Sequence, residues 1–484
     1  MNFASGDLIF DPDLVRRFDI KGPRYTSYPT ADRFIDGFGS ERRKSALRAR
    51  SAAAETIAAT PEAKGAKGMK EAKETPALSL YFHIPFCASA CYFCACNKIV
   101  TKDRARSAKY LRALSKEMSL ASMCLGAGEV PVEQVHWGGG TPTFLSDGEI
   151  ESLIDATRRY FRLVEGGESS IEVEPRGLKR ATVETLARLG FNRLSVGVQD
   201  FDADVQSAIH RVQSEEETRA VVEAARASGF QSIGVDLIYG LPRQSAARFA
   251  RTLERIVSID PDRVSVYNYA HLPALFKAQR RINAAELPSA EERLRILSLT
   301  IRVLCDAGYV FIGMDHFAKP DDELARAQRE KRLHRNFQGY STRPDCDMLA
   351  FGVSAISKLG AAYDQNVKTL DEYYAALDRG EFPVSRGIVL DDDDLLRRAV
   401  IQSLMCHFEL PFAAFESAYR IDFENYFSVE IAELGEMEKA GLVSLEKNRI
   451  AVLPPGRILV RAISMVFDRR LREDRGNTRY SKII

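Results

Sequence analysis

Long hydrophobic runs and an excess of charge of one sign are both missing from this 484-residue sequence. No run reaches about 18 apolar residues, which excludes an ordinary transmembrane helix. The 68 Lys and Arg residues balance 67 Asp and Glu residues, which excludes a chain that binds nucleic acid or membranes through an overall positive charge. The first residues lack an apolar block after a basic start, so they do not predict a secretory signal, and we expect a cytoplasmic protein.

Cysteine pairs spread along the chain, as in a disulfide framework, are also missing. Eight cysteines are present, and half of them crowd into residues 87–96: Cys87, Cys91, Cys94 and Cys96. Such crowding in a large protein without a secretory signal favours a metal or redox centre over disulfides.

The first three of these cysteines form the run Cys87-Ala-Ser-Ala-Cys91-Tyr-Phe-Cys94. Thiolates suit zinc or an iron–sulfur cluster. Three thiolates on a four-iron cluster leave one iron open, as a catalytic site requires. Two alternatives use Cys96 as a fourth ligand, in a structural zinc site or in a closed electron-transfer cluster. We favour the open cluster because a glycine-rich strand end follows downstream.

The segment after residue 77 alternates short apolar runs with amphipathic helical patterns, which is typical of parallel α/β sheets. Six runs predict six βα units, in an open sheet or a partial barrel. The runs are LSLYFHIPF (78–86), VEQVHWGG (132–139), SIEVEP (170–175), RLSVGVQ (193–199), SIGVDLIYGLP (232–242) and RVSVYNYAHLP (263–273). Polar residues at their ends predict one shared active face: Cys87, residues 138–141, Glu172, Gln199, Asp236 and Asn268.

Three units are predicted along the chain. Residues 1–77 form an N-terminal arm, irregular to about residue 45, with a flexible insertion at 51–77 in which transient helix can form. Residues 78–367 form the βα catalytic unit, and residues 368–484 form a helical C-terminal domain. In that last unit the patterns predict helices at 391–406, 411–419 and 424–440, a hairpin at 442–453 and a final helix at 457–472. This order resembles a winged helix, but the third helix carries no basic cluster, so we favour a lid over DNA binding.

The cysteine spacing resembles the radical S-adenosylmethionine superfamily. The stretch His136-Trp137-Gly138-Gly139-Gly140-Thr141-Pro142, one βα unit later, resembles the glycine motif that contacts the cofactor in those enzymes. Motifs outside the superfamily core resemble the oxygen-independent coproporphyrinogen III oxidase family. Among them are PRYTSYPTA (23–31), HRNFQGY (334–340) and GVSAIS (352–357).

The resemblance implies a partial (β/α)6 barrel with a helical, winged-helix-like C-terminal domain. It implies that two propionates of coproporphyrinogen III become vinyl groups, giving protoporphyrinogen IX in haem synthesis. The implied cofactors are a 4Fe-4S cluster with one open iron and two S-adenosylmethionine molecules, from which a 5′-deoxyadenosyl radical arises. A flavodoxin-like electron donor and a monomer are expected, with neither nucleic acid nor membrane as partner.

Site residues follow by the same resemblance. Cys87, Cys91 and Cys94 would ligate the cluster, and Cys96, Phe337 and Gln338 would belong to the active site. The remaining residues would bind cofactor. The first S-adenosylmethionine would contact Tyr81, Gly139, Glu172 and Ile356. The second would contact Phe93, Gly140, Thr141, Gln199, Arg211, Asp236 and Ala270.

The chain departs from the family pattern at two places, Ala95 for the usual glycine and Glu174 for the usual aspartate. The substrate bears four carboxylates on an apolar ring, so its pocket should combine cations with aromatic walls. Arg24, beside Tyr25 and Tyr28, is one candidate anchor. Two rival functions are a haem chaperone on the same scaffold and a DNA-binding redox regulator. PRYTSYPT and the fourth cysteine disfavour the first, and the missing basic face disfavours the second.

Overall fold

The computed structural model describes residues 3–5, 8–59, 77–126, 130–343, 346–473, 480 and 482. Within these ranges, no helix combines the length and the apolar character needed to cross a bilayer.

The strands, in chain order, are β1 (Phe3–Ser5), β2 (Leu8–Phe10), β3 (Ile35–Asp36), β4 (Leu78–Ile84), β5 (Phe86–Cys87), β6 (Ile99–Val100), β7 (Pro131–Gly139), β8 (Arg162–Val173), β9 (Arg193–Gln199), β10 (Ser232–Tyr239), β11 (Arg263–Asn268), β12 (Val310–Gly313), β13 (His316–Ala318), β14 (His334–Asn336), β15 (Gly339–Ser341), β16 (Asp347–Phe351), β17 (Ile356–Leu359), β18 (Ala362–Asn366), β19 (Val384–Val389), β20 (Glu409–Pro411), β21 (Val443–Glu446) and β22 (Arg449–Val452).

The α-helices are α1 (Pro12–Phe18), α2 (Gly39–Ala59), α3 (Ala105–Leu125), α4 (Asp147–Tyr160), α5 (Arg180–Arg188), α6 (Ala203–Ala208), α7 (Glu215–Ala227), α8 (Ala246–Ile259), α9 (Ala290–Asp306), α10 (Glu323–Arg329), α11 (Leu370–Asp378), α12 (Asp392–His407), α13 (Phe412–Tyr419), α14 (Phe423–Tyr426), α15 (Ser428–Lys439), α16 (Val460–Met465) and α17 (Arg469–Glu473).

One large sheet organises the chain, in the strand order β12-β13-β11-β10-β9-β8-β7-β4-β16-β17-β18-β19-β3. Strands β4 and β7 to β11 are mutually parallel, and a helix follows each of them. The predicted six βα units and the partial barrel are therefore confirmed. The two edge strands, β12 and β3, do not pair with each other within the described residues, so the barrel is open on one side.

The side chains on the two faces of the barrel strands differ in polarity, although the sequence predicts continuous apolar runs. Along β4, Leu80 and Phe82 are fully buried in the core, whereas the intervening Tyr81 stacks on His136 with ring centroids 5.8 Å apart. The alternation follows from the pleat, which turns successive side chains to opposite faces. One face packs on the helices, and the other lines a polar interior, which we call the lumen.

Helices α4 and α7 begin where the sequence supplies caps. The Ser146 hydroxyl accepts the backbone N–H of Glu149, and the Glu149 carboxylate accepts the N–H of Ser146. Ser214 and Glu217 form the same reciprocal pair at α7. Each pair satisfies backbone donors that a helix start leaves without partners.

The N-terminal arm is more ordered than predicted. It contains α1 and most of α2, and β3 joins the large sheet through β19. Helix α2 continues to Ala59, into the stretch predicted as a flexible insertion. It is anchored by Arg43, which lies fully buried and pairs with Glu117 and Asp364. Residues 60–76 of that insertion lie outside the described residues.

The C-terminal helices and hairpin lie where the patterns predict them, with two exceptions. The single helix predicted at 424–440 is two helices, α14 and α15, separated at Phe427. The predicted final helix at 457–472 is wrong, because two short helices, α16 and α17, replace it. The break falls at Asp468, whose carboxylate accepts the N–H of Leu471 and the hydroxyl of Tyr25, both at 2.9 Å. The division of the chain at residue 367 stays a prediction, and the large sheet continues past it to β19.

Candidate active site

The cysteine loop connects β5 to β6 at the carboxyl end of β4. Strands β5 and β6 pair in parallel, so they bring the two ends of the loop together. Inside the loop, the N–H of Tyr92 donates to the Ile209 carbonyl at 3.0 Å, and the Ala90 carbonyl lies 2.8 Å from Nδ1 of His210. The loop is therefore fixed against the segment after β9.

All four clustered cysteines line one cavity of about 160 Å³. Burial raises the pKa of Cys87 to about 11, whereas a hydrogen bond with Cys96 lowers the pKa of Cys94 to about 6. Within the described residues, no three His, Cys, Asp or Glu side chains converge closely enough to hold a single metal ion. The thiolates of an iron–sulfur cluster bind different irons, so the three cysteines facing one cavity fit that group.

The glycine-rich end of β7 packs directly against the cysteine loop. Gly140 N–H donates to the Ile84 carbonyl at 2.8 Å, and Thr141 N–H donates to the Phe86 carbonyl at 2.9 Å. A Cβ on Gly139, which has φ +112°, would lie 2.6 Å from the ring of His83. Only glycine allows this close backbone approach at the cavity wall.

Glu172 presents a carboxylate to the cavity from the end of β8. Burial alone would raise its pKa, but hydrogen bonds from His136 and from the Gly139 N–H bring the pKa below its ordinary value. The distances are 3.4 Å to Nε2 of His136 and 3.2 Å to the Gly139 nitrogen. An ionised carboxylate here can accept bonds from an amino group or ribose hydroxyl.

Arg211 is buried, at 7% exposure, although sequence alone favours a surface position for it. Its Nη1 lies 3.5 Å from the sulfur of Cys91, and its Nη2 donates to the Gly197 carbonyl at 2.7 Å. Its Nε is buried and has no hydrogen-bond partner among the described residues. The guanidinium therefore keeps a donor for an anionic group in the cavity.

Burial raises the pKa of Asp236, on β10, to about 6, although Ser195 donates to its carboxylate. Twelve of the predicted site residues share the cysteine cavity. They are Cys87, Cys91, Phe93, Cys94, Cys96, Gly139, Gly140, Thr141, Glu172, Gln199, Arg211 and Asp236.

Three predicted cofactor residues are not among the residues that line that cavity. Tyr81 stacks on His136. The Ala270 carbonyl accepts a bond from Gln279, which also donates to the Phe93 carbonyl. Ile356 packs at the edge of an apolar cluster with Phe337.

Phe337 and Gln338 form the turn between β14 and β15, and we call the segment 334–341 the plug hairpin. Gln338 lines the lumen cavity, about 140 Å³, together with Glu172 and Asp236. Phe337 faces the other way and packs against Tyr363 with ring centroids 5.8 Å apart. The structure therefore separates these two residues from the cysteines and places one on each side of the hairpin.

Sequence reasoning missed Lys98, which lines the cysteine cavity and donates to the Cys94 carbonyl at 3.0 Å. Its position two residues after Cys96 was the available signal. Both departures from the family pattern are accommodated. Ala95 does not adopt positive φ, and Glu174 pairs with Arg176.

Two family models match the chain. The Radical SAM superfamily model matches residues 81–256, which include the cysteine loop and strands β7 to β10. The HemN C-terminal domain model matches residues 390–459, which include α12 to α15 and the hairpin of β21 and β22.

Curated relatives and a solved structure match nearly the full length. The chain is 48% identical over 98% of its length to an oxygen-independent coproporphyrinogen III oxidase of Pseudomonas aeruginosa, of which it covers 99%. It is 46% identical to the enzyme of the same name from Escherichia coli, with 98% of each chain covered. The solved structure of coproporphyrinogen III oxidase (HemN) from Escherichia coli, a radical SAM enzyme, superposes with a TM-score of 0.86. It has 44% identity and covers 96% of this chain and 100% of that chain.

Proposed function

The chain belongs to the oxygen-independent coproporphyrinogen III oxidases of the radical S-adenosylmethionine superfamily. From this premise we propose which of its residues hold the cluster and which bind S-adenosylmethionine. As a member of that family it is an oxidoreductase of haem biosynthesis. The propionates of coproporphyrinogen III are the groups that it decarboxylates to vinyls. One observation supports the assignment of residues most strongly: three cysteines, the glycine turn and an ionised Glu172 face the same cavity.

Cys87, Cys91 and Cys94 would hold the 4Fe-4S cluster, leaving one iron for S-adenosylmethionine. When bound and reduced, the cluster supplies the electron that cleaves the sulfonium and starts radical chemistry on the substrate. The hydrogen bond with Cys96, together with the nearby charge of Lys98, lowers the pKa of the Cys94 thiol, which favours the thiolate needed for ligation. Cys96 lies beside the triad without completing it.

We assign the first S-adenosylmethionine to Tyr81, Gly139, Glu172 and Ile356. Glu172 would accept bonds from the cofactor's amino group or ribose, because its neighbours keep it ionised. Gly139 lets the glycine turn pack against the His83 ring, because any side chain at this position would collide with that ring. The turn that leads into β17 and Ile356 is fixed from behind, since the Gly352 N–H donates to the buried Glu117 at 2.9 Å.

A second S-adenosylmethionine would occupy the opposite wall of the same cavity. Its carboxylate would accept from the unpaired Nε of Arg211, and the remaining contacts fall to Phe93, Gly140, Thr141, Gln199, Asp236 and Ala270. Equilibrium dialysis of the anaerobic holoenzyme with labelled cofactor tests this number. Two bound per chain, falling to one in Arg211→Gln, is the expected result, and one per wild-type chain contradicts the second site.

The electron donor would be a flavodoxin-like protein, and the chain would act as a monomer in the cytoplasm, where a reducing environment keeps its cysteines as thiols. Static light scattering at several concentrations tests the monomer, and reduction kinetics with purified flavodoxin test the donor.

Nucleic acid and membrane are not expected as partners. A DNA titration at varied salt checks the first, and vesicle sedimentation checks the second.

The decisive experiment measures vinyl formation together with cluster spectroscopy. Protein reconstituted anaerobically with iron and sulfide should convert coproporphyrinogen III and show an electron paramagnetic resonance signal that changes with S-adenosylmethionine. Cys94→Ala should lose the signal and the activity. Cys124→Ala, a half-buried cysteine outside the loop, is the matched control and should keep both. Haem binding without vinyl formation would indicate the chaperone.

A further inference from the structure

A second, larger cavity lies on the far side of the plug hairpin from the lumen. Its volume is about 460 Å³, and we call it the outer cavity. Its walls come from arm residues 25–28, the plug hairpin, strands β16 to β18, and helices α12 and α13. None of the cluster cysteines lines it, so it is a separate compartment from the cofactor cavity.

The outer cavity has the size and the walls of a site for a large ring. Ligand pockets in proteins span about 300–1,000 Å³, and aromatic side chains come from four different elements: Tyr28, Phe337, Tyr363 and Phe415. Flat apolar surfaces of this kind suit a tetrapyrrole, which buries its ring and leaves its acid groups at the edge.

The polar part of the lining is strongly cationic. Five Lys and Arg side chains line the cavity against a single carboxylate, Glu409. Glu409 is engaged by Lys331 at 2.7 Å, and Arg343 lies 3.3 Å from Glu133. The five cations are Lys331, Arg335, Arg343, Lys358 and Arg398. A ligand with several carboxylates complements this wall.

Arg335 stands out among these cations. Its Nε and Nη1 are buried and have no hydrogen-bond partner among the described residues. None of the carboxylates in the described part of the chain lies within 4 Å of it, and its guanidinium instead lies 4.8 Å from the ring centroid of Tyr340. Buried donors without a partner are costly on a half-buried cation, and a carboxylate bound by the planar fork of Arg335 would remove that cost.

The outer cavity and the lumen lie on opposite sides of the plug hairpin. Arg335 and Asn336 precede Phe337, which lines the outer cavity, while Gln338 lines the lumen with Glu172. Asn336 lines both compartments. The two compartments therefore meet at Asn336, beside the turn of the hairpin.

We propose that the outer cavity binds the coproporphyrinogen ring and that Arg335 anchors one of its propionates, an inference that rests on the proposed function. Arg24, the anchor expected from the sequence, does not line this cavity. Its Nη2 donates to the Asn268 carbonyl at 2.6 Å, and its Nη1 lies 3.8 Å from Asp315. The arm contributes Tyr25 and Tyr28 to the wall instead.

The test measures binding of coproporphyrin III, the fluorescent oxidised form with the same four propionates, to the anaerobic holoenzyme. Arg335→Gln should weaken binding about 10- to 100-fold, as expected for a lost hydrogen bond between charged groups. Arg335→Lys should recover part of the affinity, because the charge returns without the fork. Arg332→Gln is the matched control on an exposed arginine that pairs with Glu330, and its affinity should stay at the wild-type value.

A second pair of variants covers the case in which Arg335→Gln does not fold. Ala414 is exposed on α13 and lines the cavity, whereas its neighbour Ala413 is exposed and does not. Ala414→Trp should weaken binding at least about fivefold by filling the mouth, and Ala413→Trp should not. Wild-type affinity in folded Arg335→Gln overturns the anchor, and wild-type affinity in Ala414→Trp overturns the site. Vinyl formation by the wild-type chain reports on the proposed function separately.

Discussion

The contact between the glycine turn and the cysteine loop gives the sharpest prediction for the cofactor site. In Gly140→Ala, the new Cβ would lie 2.7 Å from the carbonyl carbon of Pro85 and 2.8 Å from the carbonyl oxygen of Phe86. Both are backbone atoms of the segment that leads into Cys87, so no side-chain rotation relieves the overlap. One of the two loops must move.

Overpacking of this kind costs about 1–3 kcal/mol. If the displaced glycine turn carries that cost, the affinity for S-adenosylmethionine falls roughly 5- to 150-fold, since about 1.4 kcal/mol is tenfold. Isothermal titration of the anaerobically reconstituted variant with S-adenosylmethionine measures this directly, and its iron content shows whether the cysteine loop moved instead.

Gly148→Ala is the matched control. Gly148 lies in the first turn of α4, and a Cβ there meets nothing within 4 Å. Alanine favours a helix by up to about 1 kcal/mol over glycine, so this variant should keep its affinity and gain slightly in stability. Wild-type affinity together with a full cluster in Gly140→Ala would refute the argument that close backbone packing shapes the site.

Three further predictions follow from buried and capping groups. Arg43→Met should lower the free energy of unfolding by about 3–5 kcal/mol, because it leaves buried carboxylates without their cation. Lys44 is the next residue and pairs with the exposed Glu41, so Lys44→Gln should change that free energy by less than about 0.5 kcal/mol. Chemical denaturation compares the two variants. Burial raises the pKa of Asp236 from 3.8 to about 6, so its contribution to stability is present below pH 3.8 and is lost as the pH rises through 6. Asp236→Asn should therefore melt higher than wild type above pH 6 without cofactor, with the difference fading towards pH 4, and a constant difference across that range would contradict the assignment. Ser146→Ala should cost about 1 kcal/mol by removing the cap of α4, and an unchanged melting temperature would show that the cap is dispensable.

The sequence alone could predict that residues close together along the chain share one cavity, because their geometry is local. The spacing of Cys87, Cys91 and Cys94 on one loop fixes that they can reach a common group, and the structure places them in one cavity. The sequence places Glu172 and Asp236 at the ends of parallel strands, which meet at one edge of a sheet; in the structure Glu172 lies next to the end of β8, whereas Asp236 lies inside β10.

Residues whose environment is made by distant segments were predicted poorly from the residues alone. Arg211 follows a helix and reads as a surface residue, yet its guanidinium is held by Cys91 and the Gly197 carbonyl. Phe337 reads as a core residue, yet it lines the outer cavity. Arg335 lies in a recognisable motif, but nothing in its neighbours along the chain indicates that its donors lack partners.

Secondary structure shows the same division. The sequence determined the barrel strands, the capped helices, the cysteine loop and the glycine turn, because hydrophobic period, caps and glycine turns act over a few residues. Tertiary structure decided that α2 is fixed by buried Arg43, that the last helix breaks at Asp468, and that the plug hairpin divides the interior into two compartments. Those outcomes depend on contacts between charges and surfaces that lie hundreds of residues apart in the sequence. No local sequence pattern predicts such contacts.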